Sequence, residues 1–137
     1  MNNLSKSLLL LLTCTFLFTA CKKEEDALEQ REPFVGAYAV KQTSTTNGKT
    51  EYSMTIAKSA TDKNTVEIAN FADVIKKKVL AVVNGNNFTI PSQTFVSGKS
   101  QIIITGSGSM NGKILHLTYV VKGDFNWDAV CVSTKQQ

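Results

Sequence analysis

The stretch that decides the fold runs from Gln101 to Lys122 and reads QIIITGSGSMNGKILHLTYVVK. Two segments rich in β-branched and aromatic residues flank the dipeptide Asn111-Gly112, and apolar and polar side chains alternate on both sides of it. Asn and Gly tolerate the positive φ angles of a type I′ turn, so this pattern is a strong hairpin signal. The sequence therefore predicts two antiparallel strands, residues 101–110 and 113–122, joined by a tight turn.

The same pattern extends outward over the rest of the chain. Asn-Gly pairs also occur at 47–48 and 84–85, each between segments of strand-forming residues, so three hairpins in series predict a meander. Pro91 indicates a bend or an edge position. The remaining strands are predicted at residues 35–43, 50–57, 66–71, 78–83, 88–95 and 127–134, and residues 71–79 could form a helical turn.

These segments define an all-β protein of about eight antiparallel strands. Short links favour an up-and-down barrel or a strongly curved sheet, because closure removes the exposed edges that template aggregation. A two-sheet sandwich is the alternative. Residues 33–137 number 105, the size of one domain with a modest core. Cys131 is the one cysteine in that domain, so no internal disulfide forms and we expect it to be a small buried hydrophobe.

Residues 1–20 have the features of a signal peptide. Lys6 provides a positive n-region, and residues 8–20, LLLLLTCTFLFTA, match an apolar h-region of about 7 to 15 residues. This segment is too short to span a membrane, since crossing takes about 20 apolar residues. Cys21 follows Thr19-Ala20 and precedes the charged run KKEED, which resembles a bacterial lipobox. Cys14 is a poorer candidate, because cleavage there would leave apolar residues on the mature protein.

The resemblance to bacterial lipoproteins implies that Cys21 is acylated, with palmitate among the chains, and anchors the protein to the membrane. The alternative is a non-lipidating cleavage that leaves Cys21 as a free thiol. In either case we expect residues 21–32 to form a polar tether. A cysteine followed by Lys and acidic residues is similar to the signal that sends Bacteroidota lipoproteins to the outer face of the outer membrane. The same charges could simply keep the tether soluble. The expected location is therefore the outer membrane, and the sequence does not decide between its periplasmic and its outer face.

Most of the mature chain resembles small Bacteroidota lipoproteins with a lipocalin-like β-barrel, a largely uncharacterised group. The resemblance rests on the lipobox and charged tether and on four stretches of the barrel sequence. These stretches are FVGAY at 34–38, FTIP at 88–91, ITGSG at 104–108 and LHLTY at 115–119. It implies a lipocalin-like barrel that binds a small apolar ligand.

The candidate site is the predicted interior face around two glycines. Gly106 and Gly108 share a strand face with Ile104, and two glycines on one face either open space for a ligand or mark a bend. An aromatic ring such as that of Tyr52 or Phe88 could instead fill the gap. The candidate ligand-binding residues are Tyr38, Tyr52, Met54, Phe88, Ile104, Gly106, Gly108, Leu117 and Tyr119.

Other chemistries find little support in the sequence. His116 is the one histidine, so neither a Ser-His-Asp arrangement nor a multi-histidine metal site is predicted, and we expect no enzyme activity, metal or other cofactor. A net charge of +4 without a nucleic-acid motif does not indicate a nucleic-acid partner. Two functions remain: a lipocalin-like binding module for a small apolar ligand, and a structural or interaction lipoprotein with a filled barrel. The second would bind an envelope protein or glycan through its loops or edge.

Overall fold

The computed structural model describes residues 30–137. The predicted signal peptide, Cys21 and the tether up to residue 29 lie outside the described residues. A short 3-10 helix, Glu32–Phe34, is followed by eight strands. They are β1 (Gly36–Ser44), β2 (Gly48–Lys58), β3 (Thr65–Ala69), β4 (Val79–Asn84), β5 (Asn87–Ser97), β6 (Ser100–Asn111), β7 (Ile114–Gly123) and β8 (Trp127–Lys135). No helix in this part of the chain is long and apolar enough to cross a membrane.

The eight strands form a closed barrel. Each strand pairs antiparallel with the next, and β1 also pairs with β8, where Tyr38 lies opposite Lys135 and Ser44 opposite Ala129. The predicted all-β, up-and-down barrel is confirmed, the two-sheet sandwich is excluded, and the predicted strand bounds differ from the observed ones by at most two residues. Each strand pairs with both of its neighbours over at least part of its length, and the eight strands enclose one hydrophobic core, so we expect residues 30–137 to fold as a unit on their own.

The hairpin turns lie where the Asn-Gly pairs predict them, but their type differs from the prediction. Gly85 and Gly112 each occupy the first position of a two-residue turn, with φ values of 60° and 59°, as a type II′ turn requires. Asn84 and Asn111 remain in the ladder as the last residues of their strands. The type I′ prediction was therefore wrong for these two hairpins, because the strand register moves each turn one residue further along the chain. In the first hairpin Ser44 pairs with Gly48, so three residues form the turn.

Strands β4 and β5 diverge towards one end of the barrel. They pair only over the last three residues of β4, and the β5 register shifts between Ile90 and Gln93, on either side of Pro91. The side chain of Gln93 bridges the gap to Leu80, whose N–H donates to Oε1 at 2.9 Å and whose carbonyl accepts from Nε2 at 2.8 Å. The bend predicted at Pro91 is confirmed, and it separates the two strands.

The two ends of the barrel differ. One end carries the Glu32–Phe34 helix, and there the buried Phe34 ring meets Phe88 edge-on with 5.4 Å between ring centroids. The opposite end is formed by the loops after β1, β3, β5 and β7. The loop after β3 holds no helix, so the helical-turn interpretation of residues 71–79 was wrong; an isolated bridge joins Phe71 to Ile75 instead. We call this second end the open end.

Candidate functional site

The nine residues predicted to contact a ligand lie mostly in the packed interior below the open end. Six of them are at most 2% exposed, namely Tyr38, Met54, Phe88, Ile104, Leu117 and Tyr119. Tyr52 is half-buried and packs against the same core. None of the nine borders the large cavity described below. Their contact with a ligand stays a prediction, and the lower part of the barrel is filled by side chains.

The two glycines of β6 accommodate close neighbours. A Cβ at Gly108 would lie 2.4 Å from Cζ of Phe88, so the Phe88 ring fills the space that the missing side chain leaves. A Cβ at Gly106 would lie 2.5 Å from the carbonyl oxygen of Thr118 on the neighbouring strand. Real Cβ atoms do not approach other atoms so closely, so both positions need glycine for packing.

A cavity of about 500 Å³ lies at the open end. This volume falls within the range of about 300 to 1,000 Å³ that small-molecule sites occupy. Its principal apolar walls come from the loops after β3 and β7 and from the β5–β6 hairpin, where β5 has separated from β4. These walls include Ala72, Ile75, Phe95, Ile102, Phe125 and Trp127. The barrel thus combines a filled lower part with a roomy apolar mouth.

The loop after β3 forms one wall because three of its side chains are anchored inside the barrel. Phe71, Ala72 and Ile75 are buried, and the Ile75 N–H donates to the Phe71 carbonyl at 3.0 Å. The Phe71 ring also packs on Tyr119 with 4.7 Å between centroids. Ala72 and Asp73 have φ values of 56° and 60°, a conformation that non-glycine residues rarely adopt. Burial of the anchors offsets this backbone strain and holds the loop in place.

Gln42 forms a polar floor beneath the apolar walls. It is 4% exposed, and its Oε1 accepts hydrogen bonds from the hydroxyls of Tyr119 at 2.7 Å and Tyr52 at 3.2 Å. The thiol of Cys131 approaches the same oxygen at 3.7 Å. The Gln42 amide nitrogen makes no hydrogen bond within the described residues, and the side chain borders the cavity. The floor therefore offers a donor to a bound molecule.

The groups around Gln42 are uncharged at neutral pH. Burial raises the pKa of Tyr119 to about 12 and that of the Cys131 thiol to about 11, and it also raises the pKa of Tyr52. The Trp127 indole lies beside the Tyr119 hydroxyl and partly opposes the rise in the pKa of Tyr119. The buried Nε1–H of Trp127 itself has no hydrogen-bond partner among the described residues. Cys131 is fully buried and free, as the sequence predicts. Its raised pKa disfavours the nucleophilic thiolate.

Charge is confined to one side of the rim. Lys76 and Lys77, at the end of the loop after β3, are the charged residues among the described groups that line the cavity. Three exposed apolar side chains also line the cavity, with Val74 58%, Phe125 57% and Val96 53% exposed. The site is an apolar chamber with a neutral donor at its floor and positive charge at its mouth.

The candidate ligand-binding residues named from the sequence do not include those that line this cavity. Gln42 shares the inward face of β1 with Tyr38 and Val40, as the alternating burial of that strand shows. Strict alternation would have placed a glutamine inside the barrel, and a buried amide is a signal of a polar network or a ligand contact. The cavity walls carry no such signal, since they come from loops that meet only in the folded barrel.

Other candidate chemistry is sparse in the described part of the chain. No group of three His, Cys, Asp or Glu residues in residues 30–137 could hold a metal ion. His116 is exposed on the outer face of β7. A second depression of about 230 Å³ lies beside Gly106 and Tyr119, and it includes the outward-facing Val120 and Val130. The geometry favours binding at the open end.

Comparisons with protein-family models, curated proteins and solved structures returned no match for this chain. The class of the protein is therefore defined by its own geometry. It is a closed, eight-stranded, up-and-down β-barrel with a cavity at one end.

Proposed function

We propose that this protein is a membrane-anchored, extracytoplasmic lipoprotein of the cell envelope whose lipocalin-like barrel binds a small apolar ligand. The observation that carries the binding function is the cavity of about 500 Å³ at the open end, with its largely apolar walls. A closed barrel of eight strands has an interior wide enough to hold one small molecule. The ligand would enter at the open end, between Ile75 of the loop after β3, Phe95 of β5 and Trp127 at the start of β8.

Trp127 gives a direct test of this proposal, because it is the one tryptophan of the chain and it borders the cavity. We expect the fluorescence of the barrel, residues 30–137, to change saturably with a single-chain amphiphile. A Ser100→Phe substitution narrows the cavity and should weaken binding at least about tenfold. Ser109→Phe lies on the exposed face of the same strand and is the matched control. Equal affinities of the two variants would place the ligand elsewhere.

The membrane anchor rests on the lipobox-like sequence around Cys21. Metabolic labelling of the full chain with tritiated palmitate, in a diderm host that processes lipoproteins, should label the protein. Cys21→Ser should abolish the label, whereas Cys14→Ser should retain it. Fractionation of intact cells, with and without surface protease, then assigns the protein to the inner or outer face of the outer membrane. Equal labelling of both variants would refute the anchor at Cys21.

A second function, an interaction module of the envelope, is favoured by an exposed apolar surface on β7 and β8. Val120, Val130 and Val132 are 37%, 58% and 43% exposed on adjacent outward positions. Substituting Val130 by Lys should leave the fluorescence response of Trp127 unchanged. If the same change abolished co-purification of an envelope partner from its native host, the interaction module would be supported.

A further inference from the structure

The charge of the cavity narrows the class of ligand. Lys76 and Lys77 border the cavity, and no Asp or Glu stands among the described residues that line it. Neither lysine forms an ion pair within residues 30–137, whereas Lys78, the next residue, pairs with Glu67. Two neighbouring cations at the mouth of an apolar chamber favour a molecule that carries a negative charge at one end.

The two lysines are held at the mouth by the anchored part of their loop. Ile75 directly precedes Lys76 and is buried, and the bond from its N–H to the Phe71 carbonyl closes the turn. Lys78 follows Lys77 and is tied to Glu67 on β3. Because the backbone is held on both sides, both lysines start from the edge of the cavity, and ordering their side chains is the main entropic cost of binding an anion there.

The floor of the cavity is unsuited to an acidic group. Gln42 contributes a neutral amide, and the tyrosine hydroxyls beside it donate their protons to Gln42. No lysine or arginine lies among the described lining residues at that depth. An anion placed there would lose its hydration without gaining a counter-ion, which is strongly unfavourable. An acidic group is therefore stable at the mouth, where Lys76 and Lys77 and solvent both reach it.

We propose that the ligand is an amphipathic anion, bound with its acidic group against Lys76 and Lys77 and its apolar body against Phe95, Ile102 and Trp127. This inference rests on the proposed function, since it assigns the ligand class of the same cavity. The acidic group could belong to a free single-chain acid or to a lipid headgroup, because both present the same charge on an apolar chain.

Three probes with the same alkyl chain test the charge preference: dodecanoate, 1-dodecanol and dodecylammonium. Each is titrated below its aggregation concentration into the barrel, with Trp127 fluorescence as the signal. We expect dodecanoate to bind about 3- to 10-fold more tightly than the alcohol, as for partly exposed ion pairs, and dodecylammonium to bind most weakly. Raising the salt from 50 to 500 mM should reduce the preference for dodecanoate.

Charge-reversal variants locate the acidic group. Lys76→Glu and Lys77→Glu should each remove the preference for dodecanoate over dodecanol, measured within each variant as the ratio of the two dissociation constants. Lys113→Glu makes the same charge change at the opposite end of the barrel and should leave the preference intact. Circular dichroism and the urea midpoint of each variant confirm that its barrel is folded.

The outcomes separate this inference from the proposed function. Equal binding of the acid and the alcohol would leave an apolar site in place and overturn the anion preference. If none of the three probes changed Trp127 fluorescence, the result would count against the cavity as a binding site. Anionic phosphatidylglycerol vesicles form a second arm. If they bound in a Lys76- and Lys77-dependent way without changing Trp127 fluorescence, the lysines would serve a membrane surface and the inference would fail. A Lys76- and Lys77-dependent change in Trp127 fluorescence would instead assign the acidic group to a lipid headgroup.

Discussion

The ring of Phe88 lies directly over Gly108, so that a Cβ at Gly108 would come within 2.4 Å of Cζ of Phe88 and 2.7 Å of both Cε atoms. The ring cannot move aside easily, because Phe34 packs edge-on against it and its side chain is 1% exposed. The two residues are paired across β5 and β6. This contact fills the barrel where the sequence left open a ligand space, and it confines the roomy part of the interior to the open end.

Gly108→Ala should therefore overpack the core. We expect a loss of about 1 to 3 kcal/mol in the free energy of unfolding, measured by urea denaturation of the barrel. Phe88→Leu in the same chain should recover part of the loss, because the smaller side chain makes room for the methyl group. Ser109→Ala, on the exposed face next to it, is the control. If Gly108→Ala and Ser109→Ala cost the same, the packing interpretation is wrong.

Gln42→Leu should destabilise the barrel by about 2 kcal/mol, because the hydroxyls of Tyr119 and Tyr52 lose their shared acceptor. A double-mutant cycle with Tyr119→Phe tests this, with the free energy of unfolding of each variant measured by heat or urea. The double variant should lose less stability than the sum of the single losses, since removing the Tyr119 hydroxyl removes a group left unpaired. Additive losses would mean that the hydrogen bond at 2.7 Å contributes nothing.

Alkaline solution should destabilise the barrel through its buried thiol. Burial raises the pKa of Cys131 from 9.0 to about 11, so the folded state keeps a proton that the unfolded chain releases. The contribution of the protonated thiol to the free energy of unfolding is fully present below pH 9, and it is lost as the pH rises through 11. Between pH 8 and 10 the loss should be about 1 kcal/mol. Cys131→Ala should unfold with a flatter pH dependence over that interval, and an unchanged slope would contradict the burial of the thiol.

A second alkaline step should follow from Tyr38 and Tyr119. Burial raises the pKa of both phenols from 10.0 to about 12, so their contribution is present below pH 10 and is lost between pH 10 and 12. Absorbance at 295 nm, where phenolate absorbs, should rise together with the loss of circular dichroism. Tyr119→Phe should reduce the amplitude. Titration of all tyrosines before unfolding would contradict the prediction.

Arg31→Met should destabilise the barrel by about 3 kcal/mol, because the buried guanidinium is bonded to backbone oxygens of the β2–β3 region. Its Nη1 donates to the carbonyls of Ser59 at 3.1 Å and Asp62 at 2.9 Å. Lys49→Met, on an exposed position of β2, serves as the control for loss of a positive charge. Urea midpoints within experimental error of each other would show that Arg31 is dispensable.

Local sequence patterns predicted most of the secondary structure correctly. The alternation in β6 and β7 and the Asn-Gly pairs depend only on side-chain direction and φ preference, which a residue and its neighbours determine. The turn type escaped prediction because the pairing of Asn84 with Asn87 and of Asn111 with Ile114 is decided by the register of whole strands. Arg31, which the sequence placed in the polar tether, is buried by contacts with residues about thirty positions away.

The sequence alone determined the number of strands, their order and the side chains that face inward, because each of these follows from interactions between residues close together in the chain. Closure between β1 and β8, the Phe88 ring over Gly108 and the cavity at the open end emerged only in the folded barrel. Their cause is non-local packing. The cavity lies where strands β4 and β5 separate and where loops come together. The residues that line it show no periodic pattern in the sequence from which the cavity could be predicted.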